Sequence, residues 1–211
     1  MTFEKILVLA PHTDDAELGC GGLIARSIEE GRQVFVATFS TAEESVPEGA
    51  PRDLLKHEFF RAISVLEVPN DNLFLFQYPV RRFSSFRQDI LEDLVKLRKK
   101  IQPNLVLLPS AHDLHQDHQV LSQEGLRACK DASVWGYEMP WNNVSFHAQA
   151  FVTLEERFVR RKWEALQAYQ SQIELGRPYF TEEFITGLAK LRGTQIKTEW
   201  AEAFEVLRVI V

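Results

Sequence analysis

An α/β fold class, one mostly parallel sheet with helices on both faces, is what this sequence predicts. Three observations point to it. Short β-branched and leucine-rich runs alternate with longer segments of helical apolar spacing. Two of the short runs end in polar loops rich in His and Asp, as expected where ligands gather at the carboxyl ends of sheet strands. The 211 residues, 45% apolar and 26% charged, suit a domain large enough for a sizeable core. No internal repeat, low-complexity tract or interdomain linker divides the chain, so residues 1–211 are read as one domain.

The elements follow in order. Residues 6–10 read as a buried strand, and the segment from Leu18 runs into a helix that stops near Gly31. A second strand is expected over 33–39, then a polar loop over 41–51, rich in Glu, Ser, Pro and Gly, that could serve as a lid. Leu54, Leu55, Phe59, Ala62, Ile63 and Leu66 keep helical spacing over 53–66. A strand at 72–78, a helix at 86–101 and a strand bracketed by prolines at 103–109 continue the alternation, which favours a parallel, Rossmann-like sheet. Beyond His118 a helix should reach Cys129, followed by strands at 134–139 and 150–154. Helices at 155–170 and 181–191 and a last strand at 203–211 complete the pattern.

The net charge of −6 argues against non-specific binding to nucleic acid or to an anionic membrane. Two cysteines, Cys20 and Cys129, with no CxxC spacing, indicate neither a disulfide framework nor a thiolate zinc cluster, and suggest a reducing compartment. The N-terminal apolar run is too short for a signal-peptide core, and no stretch approaches the roughly 20 apolar residues of a membrane span. A cytoplasmic protein is expected, and self-association is left open.

The chemistry lies in Pro11-His12-Thr13-Asp14-Asp15 and His115-Gln116-Asp117-His118, both at expected strand exits. A hydrolytic zinc site takes three His or carboxylate ligands and keeps a place for water, and His12, Asp15 and His118 can supply that set. Asp14 is then a spare carboxylate beside the metal, placed to take a proton from water. His115 and Asp117 make a second pair, an imidazole held by a carboxylate, suited to stabilising an oxyanion. Taken alone, each cluster has an ordinary explanation as a helix cap or solvated loop; their joint occurrence favours the metal.

Gly19, Gly21 and Gly22 do not have the GxGxxG spacing of a dinucleotide site, and the preceding acids would repel a pyrophosphate. Close packing of a helix on the sheet is the expected reason for them. Cys20 fits that contact as a small buried residue, and His57 falls on an amphipathic helix. The run from Asp113 to His118 is close to the HxHxDH of binuclear metallohydrolases, but has Asp113 where the leading His would stand.

At the two clusters the chain resembles the PIG-L/LmbE family, zinc-dependent deacetylases of N-acetylglucosamine-containing compounds. The family's (A/P)HPDD motif appears as residues 11–15, with Thr13 in place of proline, followed by Glu17-Leu18-Gly19-Cys20-Gly21-Gly22, and its HxDH motif as residues 115–118. Glu58, Ala62, Leu66, Lys162, Ala165, Ser171-Gln172 and Ala201-Glu202-Ala203-Phe204 add weaker similarity. The resemblance implies an LmbE-like fold, His12, Asp15 and His118 as ligands of Zn2+ or another divalent metal such as Fe2+, Asp14 as general base, and His115 with Asp117 as the oxyanion or proton-delivering pair. It implies hydrolysis of an N-acetylated small-molecule sugar or sugar conjugate. The arginine that the family often places just before its helix glutamate is displaced: Leu55 stands three residues before Glu58, and Arg52 is the nearest upstream candidate.

For the sugar itself, Tyr137, Glu138, Trp141, Asn142 and Asn143 form an aromatic and polar cluster that could stack on a pyranose and bond its hydroxyls. Arg81 and Arg82 could bind a phosphate or carboxylate. Hydrolysis of another small amide, a non-haem iron(II) oxygenase using the same two His and one Asp, and a non-catalytic metal- or sugar-binding protein are the alternatives. The spare acid and the second pair favour hydrolysis.

Overall fold

Continuous apolar runs make strands that are buried on both faces, and β1 (Lys5–Ala10) and β2 (Gln33–Thr38) are of this kind. In the computed structural model, which describes residues 3–211, they pair in parallel with each other. β3 (Leu73–Leu75) joins β2, and β4 (Leu105–Pro109) and β5 (Ser133–Tyr137) extend the parallel sheet on the other side of β1. β7 (Trp200–Arg208) then lies antiparallel between β5 and β6 (Ala150–Leu154), giving seven strands in the order β3-β2-β1-β4-β5-β7-β6.

Side-chain alternation along β1 divides the core. Ile6, Val8 and Ala10 face one layer, with Leu23 and Ile24 of α1 (Asp15–Glu29), Phe59 and Ile63 of α2 (Leu54–Val65), and Val159 of α5 (Glu156–Leu166). Leu7 and Leu9 face the opposite layer, against Ile90 and Leu94 of α3 (Arg87–Ile101) and Leu121 of α4 (Gln116–Ala128). The short α6 (Gln170–Glu174) and α7 (Glu182–Gln195) complete the first layer. Among the described residues no helix is long and apolar enough to cross a membrane.

The glycines of α1 serve close packing, as expected. A Cβ on Gly19 would run into the Tyr137 ring and one on Gly22 into Leu154. Where the helix bends, at Cys20 (φ −151°, ψ 26°), the amides of Gly22 and Leu23 donate to the two oxygens of Glu202 at 3.0 and 2.7 Å. Lys162 donates to the same carboxylate at 2.8 Å.

Several boundaries differ from the sequence reading. Helix α1 starts at Asp15 rather than near Leu18, because the His12–Asp14 turn leads straight into it. The strand expected at 72–78 ends at Leu75; the Phe76 and Tyr78 amides still donate to the Thr38 and Phe39 carbonyls, but Gln77 and the prolyl turn beyond leave the ladder. The helix expected over 155–170 breaks at 167–169, where Tyr169 turns inward to donate its hydroxyl to the Thr13 carbonyl at 2.5 Å, and α6 follows. The last strand begins at Trp200 rather than Ala203 and ends at Arg208, while the last helix runs on to Gln195.

Candidate metal centre and cleft

Strand order reverses between β1 and β4, and crevices in such sheets open at the carboxyl ends of the strands where this happens. The loops that leave β1 and β4 bring His12 and His118 together from 106 positions apart in sequence. Asp14 holds the N-cap position of α1, yet its side chain makes no capping hydrogen bond, so the ordinary task of such a residue is not its own. Asp15 folds back, its Oδ2 accepting the His12 amide at 2.8 Å.

That same oxygen lies 3.1 Å from His12 Nδ1 and 3.3 Å from His118 Nε2, and the two nitrogens are 3.4 Å apart. Ligands at about 2.1 Å from a tetrahedral zinc stand about 3.4 Å from one another. The triangle therefore has the dimensions to hold one divalent ion and leave a fourth position open. His115 stands beside the triangle, its ligand atom lying no more than 4.8 Å from those of His12 and His118.

The outer nitrogens of the two imidazoles are also engaged. His12 Nε2 meets Asp117 Oδ2 at 3.0 Å, and His118 Nδ1 meets Asp113 Oδ2 at 2.7 Å. In a neutral ring each carboxylate would accept the proton on the outward nitrogen and leave a lone pair on the inward one, the tautomer a metal needs. The expected pairing of Asp117 with the His115 ring is thus corrected. At the start of α4 the Asp117 side chain turns toward His12 and accepts the amides of Arg81 at 2.5 Å and Phe83 at 3.2 Å. Only its backbone N–H reaches His115, donating to Nδ1 at 3.2 Å. Asp113, which is 1% exposed, is the partner the sequence reading missed; its other oxygen accepts the His115 amide at 2.8 Å. Its place ahead of the HxDH run was the one visible signal.

Charge follows the same plan. Burial alone would lower the histidines, but hydrogen bonds to Asp117 and Asp15 hold His12 up at about 9, and Asp15 and Asp113 hold His118 up at about 10. Burial would raise Asp15, yet the neighbouring imidazoles keep it well below the usual carboxylate range. The centre thus favours positive charge, which a divalent cation supplies in place of protons. Asp14 is pushed up to about 6 by burial and by the Asp15 charge. His115 is pushed down to about 4 by burial and the two other imidazoles.

The centre forms one wall of a cleft of about 380 Å³, within the range of small-molecule sites. Trp141 and Asn142 line it, with Ala42 and Ser45 of the polar loop, Leu55, Arg81, Gln172, Arg177 and Tyr179. One face of Trp141 is already covered by Tyr179, stacked at 3.9 Å and 8°. The other expected substrate contacts lie elsewhere. Arg52 borders a neighbouring polar pocket, Arg82 is exposed outside the cleft lining, and Glu138 is paired with Arg192 beside Gly19. His112 faces Glu205 at 2.9 Å, away from the triangle. Gln172, Arg177 and Tyr179 follow the break after α5; Ser171-Gln172 carried only weak family similarity and no role in the site, and Arg177 and Tyr179 carried no local signal.

A sequence profile of the PIG-L family, described as GlcNAc-PI de-N-acetylase, matches residues 7–129, more than half of the chain and both loops of the centre. The uncharacterized deacetylase YaiS of Escherichia coli (strain K12) is 28% identical over 172 residues, 79% of this chain and 90% of that protein. N,N'-diacetylchitobiose deacetylase from Pyrococcus horikoshii has a similar structure, with a TM-score of 0.79, 18% identity, and 97% and 84% of the two chains covered. So does the 4-carboxy-2-hydroxymuconate hydratase GalB from Pseudomonas putida KT2440, with a TM-score of 0.80, 21% identity, and 99% and 98% covered. At such identities the structural likeness speaks for the fold alone.

Proposed function

This chain belongs to the PIG-L family, and from that premise we propose that it is a metal-dependent hydrolase that removes the acetyl group from an N-acetylated amino sugar or sugar conjugate. The observation that carries the reading is the 3.1–3.4 Å triangle of His12 Nδ1, Asp15 Oδ2 and His118 Nε2, opening on a cleft beside Asp14, whose carboxylate makes no capping hydrogen bond. His12, Asp15 and His118 would hold the ion, with zinc the first choice. When bound, zinc supplies a water of lowered pKa and a Lewis acid for the substrate carbonyl.

The remaining work belongs to side chains. Asp14, held at about 6, is ionised at neutral pH and still basic enough to take the proton that water gives up as it attacks. His115 accepts the Asp117 amide at Nδ1, so its own proton sits on Nε2. Held at about 4, it is a neutral donor that can stabilise the oxyanion of the tetrahedral intermediate. Asp14 then returns its proton to the departing amine as the carbon–nitrogen bond breaks. Asp117 and Asp113 orient the two imidazoles of the triangle.

Arg81 and Arg177 line the cleft, and among the described residues no carboxylate lies within ion-pairing distance of either. They favour substrates that carry a phosphate or carboxylate in addition to the acetamide. A cytoplasmic setting is part of the proposal, in keeping with two free, buried cysteines. Acetate release from a panel of N-acetylated sugars and sugar nucleotides, by zinc-loaded and chelated protein, tests the reading; release that survives chelation would refute it. Oxygen consumption by the iron-loaded protein would favour the oxygenase alternative.

A further inference from the structure

Gln172 is the residue of α6 that lines the cleft, and it is 8% exposed. Behind it lies a buried chain of hydrogen bonds. Gln172 Nε2 donates to Ser171 Oγ at 3.2 Å, and Ser171 Oγ donates to Glu58 Oε2 at 2.6 Å. The Ser171 amide donates to Glu58 Oε1 at 2.9 Å, so both oxygens of a carboxylate from α2 face one serine. A serine hydroxyl has a single proton. Given to Glu58, it leaves Ser171 Oγ able only to accept from Gln172, and the amide must present its nitrogen to Ser171 and its oxygen to the opposite side.

Among the described residues nothing donates to Gln172 Oε1, and it is not one of the fully enclosed unpaired polar atoms, so it keeps an exposed side on a residue that lines the cleft. We infer that Gln172 Oε1 is a fixed hydrogen-bond acceptor for a hydroxyl or N–H of the bound substrate, and that Glu58 and Ser171 are positioning residues that keep the amide from turning over. A Glu58–Ser171 pair that merely fastened α6 to α2 would not need a glutamine in the cleft. An acceptor held this way selects for a donor on the ligand, because an analogue without one leaves Oε1 unpaired. The identity of the ligand rests on the hydrolase reading above; the orientation of the amide does not.

Two measurements on the zinc-loaded protein test the inference. The first follows exchange of the Gln172 side-chain amide protons by NMR. Slow exchange in the wild type, fast exchange in Ser171→Ala and slow exchange again in Ser171→Thr are expected; wild-type exchange as fast as that of a free glutamine overturns the inference without reference to any substrate. The second compares N-acetylglucosamine with its 3-, 4- and 6-deoxy analogues by calorimetry and by acetate release, in the wild type and in Gln172→Met. One analogue should bind roughly tenfold more weakly than the parent sugar in the wild type, and lose that deficit in Gln172→Met while the other analogues keep theirs. The change should fall on KM rather than kcat. Deficits that all persist in Gln172→Met, with the KM of the parent sugar unchanged by the substitution, overturn the acceptor role. Failure of the parent sugar to bind the wild type counts against the sugar substrate, while the exchange measurement still decides the amide.

Discussion

Replacing Asp113 with Asn changes almost nothing in shape and should change the metal centre. Asp113 Oδ2 accepts from His118 Nδ1 at 2.7 Å, and Oδ1 accepts the His115 amide at 2.8 Å. An Asn at this buried position has one oxygen for two donors. If the oxygen stays with the His115 amide, the NH2 faces His118 Nδ1, which must then accept; the ring proton moves to Nε2, the atom of the triangle, and blocks it. In the other orientation the NH2 opposes the His115 amide and leaves a buried donor unmet, at a cost of about 1–3 kcal/mol. Loss of such an outer partner typically weakens a metal site about 10- to 100-fold, or about 1.4–2.8 kcal/mol. Zinc affinity measured by competition with a chromophoric chelator should fall by that factor. The stabilisation of the fold by excess zinc should shrink by up to about 2.7 kcal/mol, roughly 5–11 °C in Tm for a chain of this size. Zinc affinity within twofold of wild type in Asp113→Asn would refute the tautomer argument.

Asp14→Asn should keep zinc binding and lower kcat/KM at least about 100-fold. Since burial and Asp15 push Asp14 up to about 6, the proposed base is lost as pH falls through that value; wild-type kcat/KM should decline on the acid side near 6, and this limb should be absent from the residual activity of the variant. Lys162→Met leaves Glu202 buried with only the Gly22 and Leu23 amides, and urea denaturation should show a loss of about 3–5 kcal/mol. Arg81→Met should raise KM for N-acetylglucosamine 1-phosphate by about tenfold, the lower end for a charged hydrogen bond because the side chain is exposed, and leave KM for the neutral sugar unchanged.

What could be read from the chain was what local pattern encodes. The apolar run before His12 and the proline-bracketed run before Ser110 mark two strands, and their order places both acidic loops on one crevice. Partner choice inside that crevice was not readable. Asp117 lies two positions from His115 and 105 from His12, and only the turn into α4 sends its carboxylate to the distant ring. Asp113 was visible as a position but not as a partner. The break at 167–169 is hidden because helical spacing continues through it, while the pull of Tyr169 toward Thr13 is a tertiary contact. Gln172, Arg177 and Tyr179 reach the cleft only because of that break. The insertion of β7 between β5 and β6 was hidden for a related reason, since alternation marks a strand but not its neighbours.

That insertion has a consequence for biogenesis. β7 is translated after every other strand, yet it sits inside the sheet, and β6 has no place to dock until it arrives. It also brings Glu205, which receives the Ser110 hydroxyl and the Ala111 amide just where the chain leaves β4 for the HxDH loop. A ribosome-bound chain still lacking residues 200–208 would therefore carry both acidic loops without the brace beneath one of them, and metal capture would follow completion of the sheet.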